Sequence, residues 1–145
     1  MLTDFIISRV WVKILQLFFL APGKIFHVRA IVRQTNEEIN AVRRELAHLE
    51  KIGLMTKERR ANRLFYALRR DHSLYFDLLE LIVKTSGMGG DILKNKAKLG
   101  KVKFVMISGK YARNAQRAGN NVDLLIVGKV VLPEISQIVR QEEVK

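Results

Sequence analysis

A chain of 145 residues with a formal charge of +12 has room for one ordinary domain or two small ones. Hydrophobic residues make up 48% of it, enough for a core, so it is not a disordered tail. It has no cysteine, which excludes a disulfide scaffold, a zinc–cysteine finger, an iron–sulfur site and a cysteine nucleophile. His27, His48 and His72 lack metal-ligand spacing, so neither a metal site nor a cofactor is expected.

Lys and Arg number 26 against 14 Asp and Glu. Such an excess points to a polyanion, either nucleic acid or an anionic membrane. The bland alternative is a generally basic protein without a specific partner. No membrane span is expected, because the most apolar run, Val10–Leu20, is interrupted by Lys13 and Gln16 and falls short of the roughly 20 apolar residues required. Asp4 and the lack of a small-residue cleavage site argue against a signal peptide, so a cytoplasmic location is expected.

In chain order, Ser8 can cap a helix through Val10–Leu20 that ends at Ala21-Pro22-Gly23. A short helix covers about Val28–Arg33, and Gln34-Thr35-Asn36 makes a turn. Thr35 and Glu38 have capping-box spacing, which predicts a third helix running to Ile52 and stopping at Gly53. Met55–Arg59 and Arg63–Leu68 read as strands joined at Arg60-Ala61-Asn62, where Asn tolerates a positive φ. The segment His72–Thr85 is apolar on nearly every side, as expected of a helix sandwiched between domains or in a dimer contact. Ser86-Gly87-Met88-Gly89-Gly90 is the best boundary. The halves on either side of it each carry a net +6.

Beyond the boundary, Asp91–Leu99 is a candidate helix with Lys94, Lys96 and Lys98 exposed. Val102–Ile107 and Val122–Val127 read as buried strands, separated by the polar stretch Ser108–Asn121. Pro133 fits the first turn of a last helix, Pro133–Arg140.

The third helix carries the main functional signal. Ile39, Val42, Leu46 and Leu49 line one face. Glu37, Asn40, Arg44, His48 and Lys51 fall on the outer side, with Arg43 at the edge. Asn can pair with adenine and Arg with guanine O6 and N7 in a major groove. A solvated face with incidental charge is the competing reading. The short preceding helix and the turn at Asn36 favour a helix-turn-helix. From Lys51 to Arg70 there are seven basic residues (Lys51, Lys57, Arg59, Arg60, Arg63, Arg69 and Arg70) against one acid, Glu58. With Asn62 at its tip, such a hairpin can reach phosphates or a minor groove. Its alternative role is an edge that resists aggregation through charge.

Asn40-Ala41-Val42-Arg43-Arg44-Glu45-Leu46, then Leu49, Gly53-Leu54 and the basic hairpin Met55–Leu68, resemble the winged helix-turn-helix regulators of the arsenical-repressor-like class. The resemblance covers roughly residues 8–86. It implies a small prokaryotic transcription regulator that binds operator DNA as a homodimer, the third helix in the major groove and the wing beside it. Members that sense metals use Cys or His clusters, which this chain lacks.

Gly109-Lys110-Tyr111-Ala112-Arg113-Asn114 and Asn120-Asn121-Val122-Asp123-Leu124-Leu125-Ile126-Val127 resemble the small nucleotidyltransferases of the DNA polymerase β superfamily. In that family a Gly-Ser loop holds nucleotide phosphates and carboxylates hold two Mg²⁺ ions. Here Lys110 replaces the loop serine, Asn114 the second glycine and Asn121 the first carboxylate. Gly109 remains, and of the carboxylates only Asp123 matches; an edge-of-strand pair with Lys110 or Arg113 is its simpler role. A P-loop is excluded, since its first glycine would fall at Phe104.

The expected architecture is therefore α+β: a winged helix-turn-helix over residues 1–86 and a degenerate, truncated nucleotidyltransferase-like domain over residues 87–145, with no catalytic residues. The expected DNA-contacting set is Asn36, Asn40, Arg43, Arg44, His48, Lys51, Arg59, Arg60, Asn62 and Arg63. The degenerate motif comprises Gly109, Lys110, Arg113, Asn121 and Asp123. Residual nucleotidyl transfer and non-specific nucleic-acid binding are the alternatives. A homodimer is expected because His72–Thr85 and the aromatic first helix (Trp11, Phe18, Phe19) exceed what one small domain buries, and because the second half leaves a sheet edge uncovered.

Overall fold

The computed structural model describes residues 6–112 and 121–144. The chain divides into two compact units, Met1–Leu79 and Glu80–Lys145. It is α+β, with seven helices and two small antiparallel sheets among the described residues. No helix among them is long and apolar enough to cross a membrane.

The first unit opens with α1 (Arg9–Phe19), capped by Ser8, whose hydroxyl accepts from the Trp11 amide. α2 (Val28–Thr35) starts at His27, whose Nδ1 accepts from the Ala30 amide. α3 (Ile39–Lys51) follows after a three-residue turn and ends at Ile52, with Gly53 beyond it at φ +78°. β1 (Phe26–His27), β2 (Met55–Arg60) and β3 (Arg63–Leu68) form one sheet in the order β1-β3-β2. Alternate positions along a strand face opposite sides, so Lys57 and Arg59 share one side of the hairpin with the buried Tyr66. Glu58, Arg60, Arg63 and Phe65 share the other.

The core of this unit is drawn from every helix: Val12, Ile14, Leu15, Phe18 and Phe19 from α1, Ile31 from α2, and Val42, Leu46 and Leu49 from α3. Phe18 meets Phe26 edge-on at 5.2 Å, and Phe19 meets Tyr75 at 5.3 Å. Both phenylalanines are thus buried within the unit, and Trp11 is half-buried. This corrects the expectation that the α1 aromatics need a second copy to cover them.

Three local expectations also change. Thr35 does not cap α3: it is buried, and its hydroxyl donates to the Ile31 carbonyl at 2.8 Å. Glu38 caps instead, its carboxylate accepting from the Asn40 and Ala41 amides at 2.8 and 3.0 Å. At the hairpin tip the positive φ falls on Ala61, at 51°, not on Asn62.

α4 (Tyr75–Thr85) runs through the division between the units. Tyr75, Leu79, Ile82 and Val83 are buried, whereas Phe76 and Leu81 are 61% and 40% exposed.

The second unit continues with α5 (Gly87–Lys94), β4 (Gly100–Ile107), the short α6 (Gly109–Ala112), β5 (Leu124–Val130) and α7 (Leu132–Glu143). The glycine-rich stretch is helical rather than a loose connection. A Cβ at Gly89 would lie 2.2 Å from the Val83 carbonyl oxygen, and one at Gly90 2.6 Å from that of Thr85. Only glycine lets α5 turn this closely against the end of α4. α5 also stops at Lys94, short of the expected Leu99.

β4 and β5 pair antiparallel, with a bulge at Lys103 between Val102 and Phe104. Met88, Ile92, Leu99 and Ile138 form the core beside them, joined by Val102, Val105, Leu124 and Ile135. The strands were expected to be buried, but only one face is. Phe104, Met106, Leu125 and Val127 are 54%, 42%, 43% and 46% exposed. Gly100 (φ +93°) and Gly128 (φ +147°) lie at one end of the pair, each with its Cβ position against a carbonyl oxygen of the opposite strand.

Candidate nucleic-acid interface

α3 is held from behind, and its other face is exposed. Ser8, having capped α1, donates its hydroxyl to Glu45 at 2.7 Å and so ties the two helices. Lys13 donates to the Thr35 carbonyl at 2.8 Å and pairs with Glu37 at 2.6 Å, while Arg9 pairs with Glu37 at 3.1 Å. One lysine of α1 therefore pins both sides of the turn before α3. Asn36 completes that turn in the left-handed region (φ 51°, ψ 47°), which its short polar side chain tolerates. Glu37 was expected on the outer face; it is half-buried and committed to the turn.

Asn40, Arg43, Arg44, His48 and Lys51 are all exposed, and so is Ala47. They recur at spacings of three and four and form one stripe about 16 Å long. Arg43 is exposed at the margin of this stripe. Ala47 was missed from the sequence because only polar residues were sought. Its position, seven after Asn40, is the signal that finds it. A methyl group in mid-stripe allows close approach and suits contact with a thymine methyl. No ion pair engages Arg43, Arg44 or Lys51 among the described residues.

The N-terminus of α3 is settled electrostatically. Hydrogen bonds from the Asn40 and Ala41 amides hold the Glu38 carboxyl below its ordinary range. The hydrogen bond from Lys13, aided by its charge and that of Arg9, does the same for Glu37.

The hairpin cations differ among themselves. Lys57 reaches Glu50 of α3 at 2.8 Å. Arg60 pairs with Glu58 at 2.9 Å and lies 5.6 Å over the Phe65 ring. Arg69 pairs with Asp71 through two hydrogen bonds, at 3.1 and 2.7 Å. Arg59 and Arg63 are exposed and no such pair engages them among the described residues. Asn62 is exposed at the tip. Of Lys51, Arg59, Arg60 and Arg63 in the expected set, Arg60 has an acid and a ring as partners, whereas no ion pair engages the other three among the described residues. Arg29 and Arg33, both exposed and four residues apart on α2, are further cations outside the expected set.

In the second unit, Gly109 and Lys110 open α6 and are exposed. Arg113 and Asn114 lie outside the described residues. Of the two partners expected for Asp123, Arg113 lies outside the described residues and Lys110 makes no ion pair with it; the Asp123 Oδ1 and the Asn121 Nδ2 are buried without hydrogen-bond partners among the described residues. The Asp123 carbonyl accepts from the Ser108 amide at 2.9 Å, which holds the strand ends together. Beside them lies a cleft of about 470 Å³, lined by Tyr111, Asp123, Leu124, Ile135, Glu142 and Glu143 among others. Tyr111 donates to Glu142 at 2.9 Å. Three carboxylates, those of Asp123, Glu142 and Glu143, line this cleft. No group of three His, Cys, Asp or Glu among those residues is placed to hold a metal ion.

No protein-family model matches this chain, and neither a curated protein nor a solved structure is significantly similar to it.

Proposed function

We propose that the first unit is a winged helix-turn-helix that binds double-stranded DNA with sequence preference and regulates transcription. α3 enters the major groove and the β2–β3 hairpin is the wing, resting on phosphates or the minor groove. The reading rests on the exposed stripe of Asn40, Arg43, Arg44, Ala47, His48 and Lys51, borne by a helix whose other face is sealed by Val42, Leu46 and Leu49. Asn40, Arg43 and Arg44 contact base edges. Lys51, Arg59 and Arg63 contact phosphates, with Arg60 a lesser contributor. The working form is a homodimer.

The test is selection of bound duplexes from a random pool at two salt concentrations. A defined half-site repeated with two-fold symmetry is the expected result. Arg44→Ala then relaxes one base position, and Arg63→Ala lowers the salt slope by about 0.9. Equal affinity for all duplexes overturns the regulator reading in favour of a non-specific basic protein.

The second unit is proposed to carry no nucleotidyl transfer, on the strength of the substitutions at Lys110, Asn114 and Asn121. Transfer of labelled nucleotide in Mg²⁺, abolished by Asp123→Ala, is the outcome that reverses this.

A further inference from the structure

The outer face of the β4–β5 sheet is an ordered array. Cross-strand partners are Lys101 with Lys129, Phe104 with Val127, and Met106 with Leu125. Alternation places these pairs on one side, opposite the Val105 and Leu124 side that packs on the core. The face is thus a lysine pair followed by four exposed apolar side chains, with Lys103 exposed at the bulge. Two features are unfavourable as they stand. Like charges directly opposite each other on a sheet repel. Continuous apolar runs such as Phe104–Ile107 and Leu124–Val127 belong to strands covered on both faces, yet helices cover one face only. β4 and β5 contain no acidic residue, and no ion pair engages either lysine among the described residues.

We propose that this face docks an amphipathic helix of another protein, with leucine-like residues on the four apolar side chains and carboxylates on Lys101 and Lys129. The apolar area suits about two turns of helix. Covering it adds the missing layer to the sheet, and the carboxylates remove the lysine repulsion. A second copy fits poorly. Stacking the same face on itself brings no acid to the lysines. The exposed side of α4 is unsuited too, because Glu80, Lys84 and Asp77 lie between Phe76 and Leu81 and would press charge onto the apolar centre.

Fluorescence anisotropy of the full chain with labelled synthetic peptides about five turns long tests this. One peptide has Leu on one face and Glu on the other; a second scrambles the same composition; a third carries Lys for Glu. The first is expected to bind at least about tenfold more tightly than the scramble. Lys101→Glu with Lys129→Glu is expected to lose that binding and capture the Lys peptide. Lys94→Glu with Lys96→Glu, an equal charge change elsewhere, is expected to leave affinity within about twofold. Phe104→Ser is expected to weaken binding at least about tenfold. All these changes fall on exposed side chains, and circular dichroism verifies the fold. Equal binding of the scramble, or equal loss in the Lys94/Lys96 variant, overturns the proposal as mere charge attraction. A dimer in sedimentation that Phe104→Ser dissociates assigns the face to a second copy and overturns it as well. So does displacement of the peptide by oligothymidine that depends on Phe104, which would make the face a single-strand platform.

Discussion

In the first unit, Arg43, Arg44 and Lys51 gather on one face of a helix whose back is sealed by Val42, Leu46 and Leu49. In the second, Lys101, Lys103 and Lys129 sit on two strands that have only one covered face. Each unit carries a net +6, so charge alone does not separate them. What differs is the support. A helix braced by Ser8, Lys13 and a full core presents its cations at set spacings, which is what discrimination between base pairs requires. Cations on a half-covered sheet offer attraction and a place for a partner, with no built-in ruler.

The sharpest break of this contrast is truncation on either side of it. Leu46→Ala is expected to cost about 2–5 kcal/mol, seen as a lower denaturation midpoint, because Leu46 is fully buried. Val127→Ala, on the open sheet face, is expected to stay within about 0.5 kcal/mol. Gly89→Ala comes next. Its methyl would collide with the Val83 carbonyl, so about 1–3 kcal/mol is expected, with hydrogen exchange rising in residues 80–145 and little changed around α3. On the binding side, Arg44→Ala is expected to cost about 1–3 kcal/mol on the preferred duplex and less on random DNA. Arg59→Ala and Arg63→Ala are expected to weaken all duplexes alike, each more than Arg60→Ala, since Arg60 is already engaged by Glu58 and Phe65.

The smallest effect concerns acid. Glu37 and Glu38 have carboxyls held below their usual 4.5 in the folded chain. A lowered folded value means the contribution is complete above the unfolded pKa and disappears as pH falls through the folded one. Stability of the first unit should therefore be flat above about pH 5 and fall below about 4.5. Glu38→Gln should shallow that fall, measured by denaturation at stepped pH.

Much of the first unit was legible because its signals are local. Ser8 before an apolar run, Gly53 after one, and the periodicity of Ile39, Val42, Leu46 and Leu49 each specify an element with little help from the rest of the chain. The exposed stripe followed from the same period. The errors arose where tertiary contacts decided. Thr35 has capping chemistry, but burial turned its hydroxyl back to Ile31, and Glu38 took the cap. Glu37 lies at an outward angle on a helical wheel, yet Lys13 from another helix drew it in. Gly87, Gly89 and Gly90 look like a linker because glycine is permissive; here Gly87 takes a positive φ and Gly89 and Gly90 serve close approach. The strands of the second unit read as buried because an apolar run looks the same whether its second face is covered or bare.

The glycines at Gly100 and Gly128 bear on alignment. A strand pair with no third strand among the described residues is prone to slide, and a slide of one residue would exchange its inner and outer side chains. Each glycine sits where any side chain would strike the opposite backbone, and the Lys103 bulge absorbs one extra residue between them. Together they act as a key with a single seating, so Phe104, Met106, Leu125 and Val127 end up facing outward by specification rather than by accident.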